Sequence, residues 1–132
     1  MPHRSRLTAV LVDVPADDHD KATTFWSRAF GRDVHRIDNH PEYAFFGQVT
    51  PGIEFMVQAL QNERGGDAHP RVHFDIESDD VDAEVARLQE LGAIEVERVH
   101  SWVIMRDPAG TTFCVVRVQV KDVFEQHATT WD

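Results

Sequence analysis

The sequence predicts an α+β protein built from two βαβββ modules. In each half, an apolar strand pattern leads into an amphipathic helix that ends at a glycine, and three further strand patterns follow. The last strand of each half is preceded by a proline-glycine turn, at residues 50–52 and 107–110. One such module has too little core to be stable alone, so we expect both within a single domain over residues 1–132.

The second half carries the clearer pattern. Its four predicted strands cover residues 71–77, 93–99, 101–105 and 111–118. Asp79 and Asp80 provide a helix cap, and apolar residues at helical spacing predict a helix near 80–91 that ends at Gly92. The second module is therefore expected at about residues 70–120.

The first half repeats this order. Its four predicted strands cover residues 7–14, 33–37, 43–49 and 53–60. An acidic segment suits the positive end of a helix near 18–30, which Gly31 ends. We interpret residues 1–6 as a polar lead-in and residues 62–69 as a linker, which puts the first module at about residues 7–61.

The composition argues against several classes of function. Hydrophobic residues make up 42% of the chain, as in a globular domain. A formal net charge of −10 disfavours nucleic-acid binding and would attract a cationic ligand. A single cysteine excludes an internal disulfide, and we find no signal-peptide or membrane-spanning pattern. We therefore expect a cytoplasmic protein that binds neither nucleic acid nor membrane.

Several motifs resemble the glyoxalase/bleomycin-resistance/dioxygenase proteins of the vicinal oxygen chelate superfamily. In the second half they are His73-Phe74-Asp75-Ile76, Asp79-Asp80-Val81, Leu91-Gly92-Ala93 and Asp107-Pro108-Ala109-Gly110-Thr111-Thr112-Phe113-Cys114. Phe25-Trp26 with Phe30-Gly31 resembles the first half of these proteins. The resemblance extends to about Lys121 and implies paired modules whose mixed sheets form a curved cup. That cup often holds a divalent metal, which chelates two neighbouring substrate oxygens.

The resemblance also implies four metal-ligand positions, on strands one, four, five and eight. The strand-five histidine corresponds to His73 and the strand-four carboxylate to Glu54. The strand-eight glutamate corresponds to Cys114, and the strand-one ligand falls on Ala9 or Leu11, neither of which binds a metal. The implied metal ligands are therefore Glu54 and His73, to which a Cys114 thiolate would add a third. A zinc, iron, nickel or manganese ion and the absence of any metal both stay open.

Two larger side chains complete the expected ligand pocket. Met56 has the same strand parity as Glu54, opposite to the apolar set that includes Phe55 and Val57. Trp102 is suited to stack on a planar ligand. The predicted pocket residues are His73, Glu54, Cys114, Met56 and Trp102.

Three functions are compatible with this resemblance. The lost ligand positions favour a small-molecule-binding protein with a degenerate metal site, which sequesters a drug or metabolite as bleomycin-resistance proteins do. A metal-dependent lyase or isomerase of the glyoxalase type is the alternative, and a ring-cleaving dioxygenase is the second alternative. Whether the protein is an enzyme stays open, because fold alone does not decide it.

We also expect a homodimer. The superfamily's cups commonly lie near a subunit interface, and the tail from Val123 to Trp131 carries apolar residues that have no place in either predicted module.

Overall fold

The structure, a computed structural model, describes residues 2–60 and 70–132. The linker predicted at residues 62–69 lies outside the described residues. The strands are β1 (His3–Pro15), β2 (His35–Ile37), β3 (His40–Thr50), β4 (Ile53–Leu60), β5 (Arg71–Ser78), β6 (Ile94–Val99), β7 (Trp102–Arg106), β8 (Thr112–Arg117) and β9 (Thr129–Trp131). The helices are α1 (His19–Phe30), α2 (Val81–Glu90) and α3 (Lys121–His127), with a short 3-10 turn at Ala16–Asp18. None of these helices is long and apolar enough to cross a membrane.

The predicted α+β class and the two βαβββ modules are confirmed, with both helices at the expected places. The chain divides into two compact units. The N-terminal unit is Ala9–Val72, and the C-terminal unit consists of Met1–Thr8 together with His73–Asp132. Strand β1 therefore contributes its first residues to the C-terminal unit and its later residues to the N-terminal unit.

In the N-terminal unit, strands β2, β3 and β4 pair antiparallel, and β4 pairs parallel with β1. Helix α1 covers one face of this sheet with the side of the helix that carries Trp26 and Phe30. The ring centroids of Trp26 and Phe30 lie 5.7 Å and 5.0 Å from that of the buried Phe55. Gly31 ends the helix with a φ of +64°, a left-handed conformation that glycine adopts without a steric penalty.

In the C-terminal unit, β5 and β8 pair parallel, and β8, β7 and β6 pair antiparallel. Helix α2 packs on one face of this sheet, with Val85 against a buried cluster that contains Val103, Met105 and Val115. The side chain of Asp80 accepts a hydrogen bond of 3.0 Å from the backbone N–H of Ala83, which is the predicted helix cap.

The predicted polar lead-in at residues 1–6 is wrong, because β1 already begins at His3. His3 and Ser5 are buried polar residues. His3 Nε2 lies 2.6 Å from a carboxylate oxygen of Glu84, and the Ser5 hydroxyl donates a 2.9 Å hydrogen bond to the other oxygen. This single partner on α2, Glu84, allows both polar side chains to be buried in a strand.

The tail packs within the C-terminal unit. The prediction that its apolar residues have no place in either module, which supported a homodimer, is therefore wrong. Phe124 on α3 is only 1% exposed. Strand β9 pairs antiparallel with the start of β1, with Trp131 opposite His3. The indole N–H of Trp131 donates a 2.8 Å hydrogen bond to the Ser5 hydroxyl. Phe124 and Trp131 of the tail therefore have contacts within their own unit.

Candidate functional site

The sheet of the C-terminal unit carries polar side chains on the face opposite α2. Alternation along β5 directs Ile76 towards α2 and His73 and Asp75 to the other face. On β8, Phe113 packs towards α2 and Cys114 therefore lies on the opposite face. Since Asp75 and Cys114 are direct partners in the parallel pair of β5 and β8, all three polar residues are neighbours.

His73, Asp75 and Cys114 form a compact cluster. One nitrogen, one oxygen and one sulfur atom from these side chains all lie within 4.8 Å of one another. His73 Nε2 is 3.6 Å from Asp75 Oδ1, and these two side chains are 11% and 17% exposed. The cluster is therefore sheltered but can be reached from solvent.

The donor set fits a divalent ion. Zinc binds imidazole nitrogen, carboxylate oxygen and thiolate sulfur, and a tetrahedral zinc site separates such donor atoms by roughly 3.3–3.6 Å. The 3.6 Å distance between His73 and Asp75 matches this separation, and the 4.8 Å limit of the cluster requires only small side-chain shifts. These three side chains would leave one position open for a substrate or water.

The sequence predicted His73 and Cys114 as pocket residues, and Asp75 was not among the predicted set. The signal was present, because residues two apart on a strand share a face. His73 lies on the face of the sheet opposite α2, here called the open face. The same alternation places Asp75 on this open face. Glu77, two residues further, is buried and already bonded, since it lies 3.2 Å from Arg6 Nη1 and accepts a 2.9 Å hydrogen bond from the backbone of Gln119.

Trp102 belongs to the same open face. It is two residues before Ile104, which is the direct partner of Cys114 in the pair of β7 and β8. Its ring centroid lies 5.8 Å from that of His100, whose positive φ of +52° is unusual for a residue with a side chain. Trp102 is half-buried, so part of its ring is accessible.

Glu54 and Met56 lie on β4, in the N-terminal unit. They point away from Phe55 and Val57, which pack in the core beside α1, as the alternation predicted. Glu54 pairs with Ala9 and Met56 with Leu11 of β1.

Both candidate positions for a strand-one ligand are therefore on the face of Glu54. Ala9 and Leu11 are only 2% and 3% exposed. Neither side chain has an atom that binds a metal, so the strand-one position cannot supply the superfamily's ligand.

A family model described as the glyoxalase-like domain matches residues 9–116. A search of curated proteins gave no match. Methylmalonyl-CoA epimerase from Mycobacterium tuberculosis is a similar solved structure, with a TM-score of 0.59, 18% identity and coverage of 87% of this chain and 89% of that one.

Two further structures are similar at comparable levels. A variant of Streptomyces coelicolor methylmalonyl-CoA epimerase in complex with 2-nitronate-propionyl-CoA has a TM-score of 0.59, 15% identity and coverage of 87% and 98% of the two chains. A Legionella pneumophila protein described as an NAD-dependent benzaldehyde dehydrogenase has a TM-score of 0.58, 13% identity and coverage of 83% and 99%. At such identities the likeness shows the fold alone. The family model, in contrast, spans most of the sequence, and the chain therefore belongs to the glyoxalase-like domain family of the vicinal oxygen chelate superfamily.

Proposed function

We propose that the protein binds a small organic molecule on the open face of the C-terminal sheet, with His73, Asp75 and Cys114 as the polar anchor. The observation that carries the proposal is the convergence of these three different side chains within 4.8 Å. Trp102 and Ile104 share the face and offer apolar contact beside the cluster. A few polar groups within an apolar surface are typical of small-molecule sites.

A sequestering role for a drug or metabolite is the first form of this proposal. Ala9, Leu11 and Cys114 stand where the superfamily's strand-one and strand-eight ligands would be, so its usual metal site is incomplete. The formal net charge of −10 favours a cationic ligand, because an acidic protein raises the local concentration of cations.

A metal-dependent lyase or isomerase is the second candidate, and Asp75 is the observation that favours it. Asp75 gives the cluster a carboxylate in addition to the imidazole and the thiol. A divalent ion held by His73, Asp75 and Cys114 would supply Lewis acidity for a substrate with paired oxygens. Glu54 stays a proposed ligand on the ground of the superfamily pattern. A ring-cleaving dioxygenase fits less well, because the cluster has one histidine where the iron site of such enzymes uses two.

Metal analysis of protein purified without a histidine tag separates these candidates. Loading with cobalt would produce thiolate-to-cobalt absorption if Cys114 binds the ion, and Cys114→Ser should remove that absorption. His73→Ala should abolish binding, whereas His35→Ala, which changes an exposed histidine of β2, should not. Glu54→Gln tests in the same assay whether the carboxylate that the superfamily pattern implies takes part in metal binding.

If no metal binds, the sequestering role is favoured. His73→Ala should then weaken the binding of an organic ligand by about the free energy of one hydrogen bond, roughly 0.5–1.5 kcal/mol. A His73→Ala variant that loses several kcal/mol of folding stability without any effect on metal or ligand would show a purely structural histidine. That result would contradict the proposed site.

We also propose a homodimer. Its support is the edge strand β6, whose apolar residues Ile94 and Val96 are 58% and 45% exposed. An edge strand with apolar side chains offers unpaired backbone groups to a second chain. Sedimentation should give a dimer that Ile94→Lys dissociates, while Ile37→Lys, at a residue that is 47% exposed on β2, should leave it intact. A monomeric parent protein would refute the proposal.

A further inference from the structure

A cavity lies on the α2 side of the C-terminal sheet. Its volume is about 560 Å³, within the range of sites for small molecules. Its lining includes Leu7, Phe74, Leu91, Phe113 and Trp131, all within the C-terminal unit. Phe74 alternates with His73 and Asp75 along β5, so this cavity and the polar cluster lie on opposite faces of the sheet.

The cavity leaves large apolar side chains in contact with water. Leu7 is 44% exposed, Phe74 40% and Leu91 66%. Three such residues around one concavity form a continuous apolar surface, and covering it with a ligand would remove that surface from water.

Arg87 supplies a polar group in the wall of this cavity. Its guanidinium lies 3.8 Å from the centroid of the Trp131 ring. Its Nε and Nη2 atoms donate hydrogen bonds of 3.0 Å and 2.7 Å to the two carboxylate oxygens of Glu84. Among the described residues, Nη1 has no hydrogen-bond acceptor. The guanidinium is therefore held in place, and its Nη1 group is available to donate a hydrogen bond to a ligand.

We propose that this cavity binds an uncharged aromatic small molecule that carries one hydrogen-bond acceptor. The aromatic body would contact Phe74 and Leu91, and the acceptor would bond to Arg87 Nη1. Two carboxylates, Glu84 and Asp107, and two arginines, Arg6 and Arg87, line the cavity, so their formal charges balance and a neutral ligand suits it. Hydrogen bonds from the backbone of Thr111 and its neighbours hold the pKa of Asp107 below its usual range, so that carboxylate stays negative.

A matched pair of probes tests the proposal. 2-Acetylnaphthalene has a carbonyl acceptor, and 2-ethylnaphthalene has nearly the same shape without one. Titration into the ¹⁵N-labelled full chain should shift the backbone amide signals of Phe74 and Leu91 and the indole signal of Trp131. The acetyl probe should bind about threefold to tenfold more tightly, which corresponds to one hydrogen bond.

Variants locate the binding. Phe74→Ala should lower the affinity for the acetyl probe by roughly tenfold, because it removes a central aromatic contact. Phe25→Ala, at an exposed phenylalanine of α1 in the other unit, is the matched control and should have no effect. Arg87→Lys keeps the charge beside Glu84 and should reduce the preference for the acetyl probe.

Three results would overturn the proposal. They are the absence of binding up to the solubility limit of the probe, equal affinity for the two probes, and shifts confined to residues around His73. Shifts of the same signals on raising the protein concentration without any probe would assign the surface to a second copy of the chain instead.

Discussion

Glu84 on α2 is a fully buried carboxylate, so its charge has to be compensated by ion pairs and hydrogen bonds. Its carboxylate accepts hydrogen bonds from Ser5 and Arg87 and lies 2.6 Å from His3 Nε2. These contacts connect α2 to β1, and Trp131 of β9 joins the same network through Ser5. Glu84 therefore stabilises the attachment of both ends of the chain.

Replacing Glu84 with glutamine keeps the shape and removes the charge. Loss of one partner of a buried ion pair costs about 3–5 kcal/mol, because the other charge is left uncompensated. Arg87 is 24% exposed and regains some hydration, so we expect a loss of about 2–4 kcal/mol in the free energy of unfolding. Urea denaturation with linear extrapolation measures this loss. Glu90→Gln changes an exposed residue of the same helix and should stay within about 0.5 kcal/mol of the parent.

The loss should also depend on pH. Burial acts to raise the pKa of Glu84, but hydrogen bonds from Arg87, His3 and Ser5 outweigh it and hold the pKa below the ordinary value of 4.5. As the pH falls, Glu84 therefore takes up a proton in the unfolded chain before it does so in the folded protein. The contribution of charged Glu84 to the free energy of unfolding is present above about pH 4.5 and is lost as the pH falls through the folded-state pKa. Glutamine does not titrate, and the difference between parent and variant should shrink in acid. A difference that is constant or grows in acid would refute this account.

Three other substitutions test the packing. Phe124→Ala should cost about 3–5 kcal/mol in urea denaturation, because the side chain is 1% exposed, and a loss below 1 kcal/mol would mean that α3 is not docked. Asp80→Ala should cost about 1 kcal/mol by removing the cap on the Ala83 N–H, and an unchanged melting temperature would contradict that role. Gly92→Ala should cost about 1–3 kcal/mol by calorimetry, because φ is +107° and a Cβ atom would lie 3.2 Å from Pro108 Cγ, whereas a neutral effect would show that the turn relaxes.

The features predicted from the sequence are those with local signals. The cap at Asp80 and the left-handed ending at Gly31 depend on residues within one helical turn, so each signal is complete in a short segment. The strand parities of β4 and β5 were also predictable, because alternation has an exact period of two. The order of the elements follows from these signals.

The features that were missed depend on partners far along the chain. His3 and Glu84 are 81 positions apart, and Ser5 and Trp131 are 126 apart. A polar residue near the start of a chain is ordinarily exposed, and only a partner on another element makes its burial favourable. Without the fold there was no reason to pair these residues, and the polar start of β1 and the apolar tail were both assigned no place.

The cluster of His73, Asp75 and Cys114 was also only partly predictable from local sequence. Alternation alone assigns His73 and Asp75 to one face, but it does not say which residue of β8 lies beside them. The register of β5 and β8 decides this, because it sets Asp75 opposite Cys114 and Phe74 opposite Phe113. A shift of one residue would bring Phe113 to the polar face and Cys114 beneath α2. The buried residues Phe113 and Val115 fix the register through their packing with Val85, so the hydrophobic core on one side of the sheet determines the chemistry available on the other.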